Sequence, residues 1–225
     1  MMSFSIRMES RGVLLEEHVT HRGTHVEMFQ GPYGIACYMD GLIQSSEADE
    51  GIYHRALVQP ILKKHPKRVM IIGGGEGATA REVLKGPVET VDMYEWDKDV
   101  VRMFQTSYPQ WAKGAWADPR LTIYPENIME AITSPPDRPY DAIIVDLFDP
   151  LEENEPLWNH LLSHLHRWTH TGTSVVIYTG EEEGTMRLTK LLLAQPIGRG
   201  KRILSYDTEI PCFEGECSFL LIYGA

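Results

Sequence analysis

The run RVMIIGGGEGATAREVLKG, from Arg68 to Gly86, constrains this chain more than any other stretch. An apolar strand breaks into glycines and resumes as a helix, and glycines at such a turn let the backbone bend sharply and approach a ligand. The scheme then repeats. VETVDMYEWDKDVVRMFQTSYPQW predicts a strand through Met93–Tyr94, an acidic tip at Glu95 and a helix. LTIYPENIMEAI repeats it, and YDAIIVDLFDP is a fourth strand with Asp146 and Asp149 at its tip. LWNHLLSHLHRWTH predicts a helix, with strands at TSVVIYTG and CSFLLIY. Alternation of this kind implies an α/β fold, a Rossmann-like, doubly wound and mostly parallel sheet. Ligands of such sheets lie at the carboxyl ends of the strands. The tips at Gly73–Gly77, Glu95, Glu126, Asp146–Asp149 and Thr179 are therefore expected to line one crevice.

Upstream, GVLLEEHVT, HVEMFQGPYG and IACYMDGLIQ read as extended pieces, spaced by turn signals at Arg22-Gly23 and Gln30-Gly31-Pro32. They predict a small antiparallel β-portion over residues 1–48, ahead of a catalytic domain over 49–225. Ser46 with Asp49 three residues on resembles a helix start, and HRALVQPIL carries helical apolar spacing.

Charge and composition exclude some classes. With 21 Lys+Arg against 32 Asp+Glu, the net charge is −11. That argues against a nucleic-acid partner, which needs basic residues to neutralise phosphates. No apolar run approaches the ~18 residues of a membrane span, and the first residues lack a stretch of signal-peptide length. Cys37, Cys212 and Cys217 form no CxxC pair and are expected as reduced thiols of a cytoplasmic protein.

Three constellations carry chemistry. Gly73, Gly75 and Ala78 match G-x-G-x-x-A, with Glu76 and Gly77 in the same turn, and Glu95 follows about twenty residues on, where an acid binds ribose hydroxyls. The pattern fits a dinucleotide site and an adenosyl-sulfonium site equally. Asp146 and Asp149 can hold an amine by charge-assisted hydrogen bonds, and one carboxylate can act as general base. Gln44, Tyr53 and His54 are polar groups among apolar ones, as a pocket rim requires. His160 and His164, like His166 and His170, have the i, i+4 spacing of a zinc pair. The apolar stripe Leu161, Leu162, Leu165 and Trp168 favours a solvated histidine face, so no metal is expected. Cys212 and Cys217 read as buried thiols, and Lys63–Arg68 as a solvated loop.

Taken in order, MDGLIQSSEADEGIYH, KRVMIIGGGEGATAREVL, YEWDKDVV, DPRLTIYPEN and YDAIIVDLFDP resemble the polyamine aminopropyltransferase family, the spermidine synthases. The resemblance implies transfer of an aminopropyl group from decarboxylated S-adenosylmethionine to a primary amine or polyamine such as putrescine. It implies that Gln44, Tyr53 and His54 contact the sulfonium ligand and the amine, and that Gly73, Gly75 and Gly77 cradle the donor. Glu76 would bind the amino group of the transferred chain, Glu95 the ribose, and Glu126 with Asn127 the adenine. Asp146 would be the general base, assisted by Tyr53, with Asp149, Thr179 and Phe213 on the acceptor side. A homodimer or higher homo-oligomer is implied as well.

The departures from the family pattern cluster on the acceptor side. Glu76 and Glu126 stand where aspartate is usual, Leu147 and Phe148 replace two serines, and Arg55 replaces a glutamate. Leu151-Glu152-Glu153 stands in place of Gly-Pro-Ala, Thr179 in place of glutamine and Phe213 in place of tyrosine. The alternatives are therefore an S-adenosylmethionine-dependent methyltransferase on the same fold and a non-catalytic ligand-binding relative. A nicotinamide dehydrogenase would leave DLFDP and the Gln44–His54 segment without a purpose.

Overall fold

The computed structural model describes residues 11–31, 34–213 and 215–224. Residues 1–10 of the expected β-portion and Pro32 of the expected turn lie outside that set. Four strands, β1 (Val13–Val19), β2 (His25–Gly31), β3 (Gly34–Met39) and β4 (Leu42–Ser46), form an antiparallel sheet in chain order. The third expected piece is thus two strands. They divide at Asp40-Gly41, where both residues take positive φ, 49° and 80°. Type I′ hairpin turns require that geometry, and Asp-Gly is a preferred pair for them. Val26, Met28 and Cys37 of this sheet pack against Val100, Met103, Phe104 and Trp111.

Helix α1 (Glu50–Leu62) follows, with Asp49 at its N-cap; Ser46 belongs to β4 rather than to the helix start. Pro60 lies inside α1 and has no N–H for the Ala56 carbonyl. The Tyr206 phenol donates to that carbonyl instead, at 3.0 Å.

Seven strands build the large sheet: β5 (Arg68–Gly73), β6 (Thr90–Tyr94), β7 (Leu121–Tyr124), β8 (Tyr140–Asp146), β9 (Thr169–Gly180), β10 (Lys201–Ile210) and β11 (Gly215–Gly224). Their order is β10-β11-β9-β8-β5-β6-β7. Strands β5 to β9 pair in parallel, and β11 runs antiparallel to β9 and β10. The chain winds outward from β5 to one side and from β8 to the other, so the switch point lies between these two strands. Helices α2 (Ala78–Leu84), α3 (Lys98–Thr106), α4 (Ile128–Ala131), α5 (Glu155–Leu165) and α6 (Glu182–Ala194) complete the layers.

Strand β5 shows why the sheet is covered on both faces. Val69 and Ile71 point into one core with Leu57, Ile61, Ala80 and Val83. Met70 and Ile72 point into the other with Trp158, Leu161, Leu162 and Leu165, whose i, i+3, i+4, i+7 spacing makes one stripe of α5. A strand buried on both faces reads as a continuous apolar run, which is what VMII is.

Three local expectations are corrected. The predicted helix through His170 ends at Leu165, runs on as one 3-10 turn to Trp168, and gives way to β9, which contains His170. Arg68 is not a loop residue: it lies in β5, pairs with Asp92 at 2.9 Å and stacks over Tyr140. Cys212 is half-buried rather than buried.

Candidate active site

The floor of the crevice is the meeting of β5 and β8. Gly73 is the register partner of Asp146 and has φ +88°; a Cβ there would sit 2.0 Å from the Asp146 carbonyl oxygen. Only glycine allows the two tips to touch. The turn is closed by the Gly77 N–H donating to the Gly74 carbonyl at 2.9 Å. Gly77 has φ +80°, and a Cβ on it would strike Trp116 at 2.4 Å.

Half-buried Asp146 is held from two sides. The Tyr53 phenol of α1 donates to one carboxylate oxygen at 2.5 Å, and the Thr79 hydroxyl of α2 donates to the other at 3.0 Å. Burial raises its pKa above the usual carboxylate value and the charge of Glu76 adds to this, against the opposing pull of His54, Tyr53 and Thr79. A raised carboxyl suits a group that must take a proton. Tyr53 is buried among rings, with centroids 5.0 Å from His54, 5.6 Å from Tyr178 and 6.1 Å from Phe213.

Beside this pair lies a buried chain of charges. His54 Nε2 meets Glu76 at 2.7 Å, and Nδ1 meets the Glu50 carbonyl at 2.6 Å and its carboxylate at 3.2 Å. Arg81 grips both Glu50 oxygens, at 2.9 and 2.7 Å, and also bonds Glu82. Burial works against a charged imidazole, but Glu76, Glu50 and then Asp146 overcome it and push His54 up to about 10. Burial likewise works against the Glu50 carboxylate, yet hydrogen bonds from His54 and Arg81 bring it down to about 2. The additional methylene of Glu76 thus reaches a charged histidine and not open solvent.

At the tip of β6, Glu95 is buried, and a Cβ on Gly75 would lie 3.0 Å from its Oε2. Burial pushes its carboxyl up to about 7, although the Asp97 and Gly75 backbone N–H groups donate to it. The β1–β2 turn docks on the next residues: His21 meets Asp99 at 2.9 Å and Arg22 lies over the Trp96 ring at 5.2 Å. His21, Asp97 and Asp99 also bring three metal-capable atoms together among the described residues. His160 is partly buried and its Nε2 donates to the Met129 carbonyl at 2.8 Å, which corrects the expected solvated face.

The remaining expected site residues divide. Phe213 and Gln44 line a small cavity with Tyr53 and His54. Asp149 is exposed and accepts from the Tyr178 phenol. Glu126 is exposed at the end of β7, and the Asn127 side chain caps α4 by accepting from Met129 N–H at 3.0 Å. Thr179 is fully buried, with its hydroxyl bonded to Thr185 at 2.6 Å. Thr79, Glu50, Arg81 and Tyr178 were not anticipated. Glu50 was open to detection, because it stands one turn before His54 at i, i+4.

A mostly parallel sheet with this order, with glycines and carboxylates gathered at its switch point, is a Rossmann-like, doubly wound α/β fold. Residues 50–185 match the model of the spermine/spermidine synthase domain, and the chain belongs to that family. It is 47% identical over 125 residues to polyamine aminopropyltransferase 1 of Hyperthermus butylicus, across 52% of this chain and 42% of that protein. It is 33% identical over 196 residues to polyamine aminopropyltransferase 2 of Pseudomonas aeruginosa, across 84% of this chain and 56% of that protein. The chain thus spans about half the length of these curated relatives. Its fold is similar to the crystal structure of spermidine synthase from Thermotoga maritima, with a TM-score of 0.78 and 23% identity, over 95% of this chain and 73% of that one. A spermidine synthase in complex with the transition-state analogue AdoDATO gives a TM-score of 0.81 and 24% identity, over 95% and 74%.

Proposed function

We propose that the chain is a transferase moving an aminopropyl group from decarboxylated S-adenosylmethionine to a primary amine or polyamine, with Asp146 as general base. The observation that carries the reading is Asp146 itself, seated at the switch point with one oxygen bonded to Tyr53 and the other to Thr79. A primary amine titrates near ~10 and arrives protonated, so it needs a base beside the reacting carbon. The relatives named polyamine aminopropyltransferases and the fold neighbour holding AdoDATO support the same reaction. Glu95 at the tip of β6 is suited to the ribose hydroxyls, Gly73, Gly75 and Gly77 to close approach by the nucleoside, and Asn127 with Glu126 to the base. Gln44, His54 and Glu76 would face the transferred chain; Asp149, Phe213 and Thr179 belong to the acceptor side.

Methyl transfer from S-adenosylmethionine has one observation in its favour. His54, pushed up to about 10, is a cation at this position that the carboxylate of that donor could approach, although Glu76 and Glu50 already engage both of its ring nitrogens. Calorimetric binding of the two donors, followed by chromatography of amine products, tests the choice. Preference for the decarboxylated donor with formation of a longer polyamine supports aminopropyl transfer; preference for S-adenosylmethionine with a methylated product overturns it.

The boundary between residues 48 and 49 falls in the turn linking β4 to α1, which supports reading the two sides as separate units. Exposed Val13, Leu15 and Val19 on β1 support a homo-oligomer. Three unpaired cysteines support a reducing, cytoplasmic setting. No helix among the described residues is long and apolar enough to cross a membrane.

A further inference from the structure

Two segments far apart in the chain meet outside the crevice: the turn between β1 and β2, and the first turn of α3. His21 stands in the β1–β2 turn, where its backbone N–H donates to Asp99 Oδ2 at 2.8 Å and its ring Nδ1 meets the same oxygen at 2.9 Å. That ring nitrogen also lies 3.5 Å from Asp97 Oδ1. One imidazole therefore faces two carboxylates, and the three metal-capable atoms of His21, Asp97 and Asp99 lie within 4.8 Å of one another.

A simple ion pair accounts for Asp99, which is partly exposed. It does not account for Asp97, which is 2% exposed. The Asp97 carboxylate is turned toward His21 through Oδ1, which also caps α3 by accepting from the Asp99 and Val100 N–H groups at 3.0 and 3.5 Å. Its Oδ2 is buried and accepts from no N–H or O–H group. A buried carboxylate oxygen without a donor is costly, and native proteins explain such atoms with a ligand, an ion or a water. Nor does a Lys or Arg pair with Asp97 among the described residues; the Arg22 guanidinium lies over the Trp96 ring instead. The Asp97 charge in turn helps to raise the Glu95 carboxyl, so negative charge gathers here with one imidazole to answer it.

We propose that His21, Asp97 and Asp99 form a site for a divalent transition-metal ion such as Zn²⁺, which fastens the β1–β2 turn to the start of α3. Donor atoms bound about 2.1 Å from a tetrahedral ion sit about 3.4 Å apart. The two separations at His21 Nδ1, 2.9 and 3.5 Å, bracket that value. An imidazole with two carboxylates suits zinc better than the all-oxygen sets of magnesium and calcium. Three protein ligands leave the fourth position to water on the exposed side. Binding replaces the His21 Nδ1 proton with the ion, and that proton leaves to solvent. An ion held by the Asp97 carboxylate gives this buried group the cation that the protein does not. None of the three side chains belongs to the pair Tyr53 and Asp146, so the site stands apart from the proposed transfer.

The experiment is zinc calorimetry and thermal unfolding on the full chain after treatment with a chelator, and on His21→Ala and Asp99→Asn. Both positions have access to solvent, and Asp97, which caps the helix, is left in place. The expected result is one ion per chain, an unfolding midpoint raised by several degrees, and affinity about tenfold weaker or more in each variant. Absence of binding overturns the proposal. Equal binding by the parent and both variants overturns it as well, by placing the ion on other histidines or cysteines. Mg²⁺ raising the midpoint as much as Zn²⁺ does the same, since screening of the net charge of −11 would then suffice. If a variant does not fold, amide NMR of the unaltered chain with Co²⁺ decides. Broadening centred on residues 20–23 and 96–100 supports the site; broadening centred elsewhere, or none, overturns it.

Discussion

The Tyr53 phenol donates to Asp146 across 2.5 Å, so α1 and the tip of β8 are joined at the crevice floor. The contact fixes the carboxylate while leaving it half-buried beside the crevice. Asp146→Asn is expected to lower turnover by about two orders of magnitude, the usual contribution of a general base, with nucleoside affinity unchanged. Steady-state rates paired with calorimetry check this. Retention of most of the activity would remove Asp146 from the mechanism.

His54 links stability to alkaline pH. Its folded value is raised to about 10 from an ordinary 6.5, so its contribution is complete below pH 6.5 and is lost as pH rises through about 10. Unfolding midpoints measured across that window should fall, and His54→Gln should flatten the decline. Glu50 acts on the acid side. Its value of about 2 against 4.5 means stabilisation present above pH 4.5 and lost as pH drops toward 2.

Glu95 has the opposite sign for a carboxylate. With its folded value raised to about 7 from 4.5, its burial favours folding below pH 4.5, and that advantage disappears as pH rises through about 7. Glu95→Gln should therefore raise the unfolding midpoint at pH 8. If the carboxylate accepts from ribose hydroxyls, 5′-methylthioadenosine should bind more tightly as pH climbs from 6 to 8, and Glu95→Gln should weaken it about tenfold or more. Calorimetry at several pH values measures both effects.

Gly73→Ala places a Cβ 2.0 Å from the Asp146 carbonyl at φ +88°. Strain and clash together should cost on the order of 3 kcal/mol or more. Urea unfolding of the purified variant, or its failure to accumulate as soluble protein, reads this out. A variant as stable as the parent would mean that β5 and β8 can part without penalty.

The centre of the large sheet was legible because β5 and β8 are buried on both faces and read as unbroken apolar runs, VMII and AIIV. The switch-point glycines and Asp146 followed from their places at strand tips. Strand β10 left no such mark. Its burial alternates from half-buried to exposed, so RILSYDTEI reads as polar loop as easily as strand. Helix α6 buries only Leu188 and Leu192, too narrow a stripe to announce itself. The charge chain from Glu76 through His54 and Glu50 to Arg81 joins two helices, α1 and α2, and the turn between β5 and α2. Spacing along one element cannot show a partnership made across three.

Strand β11 lies between β9 and β10 although it is made after both. During synthesis β10 emerges with no neighbour to accept its hydrogen bonds, and β9 keeps an open edge until the later strand arrives to fill the gap. Tyr206, which completes α1 at the Pro60 break, is carried on β10 and so waits for the same event. The wall of rings around Tyr53 is then completed last, and a nascent chain halted before residue 215 would lack Phe219, whose ring lies 5.6 Å from that of Tyr53.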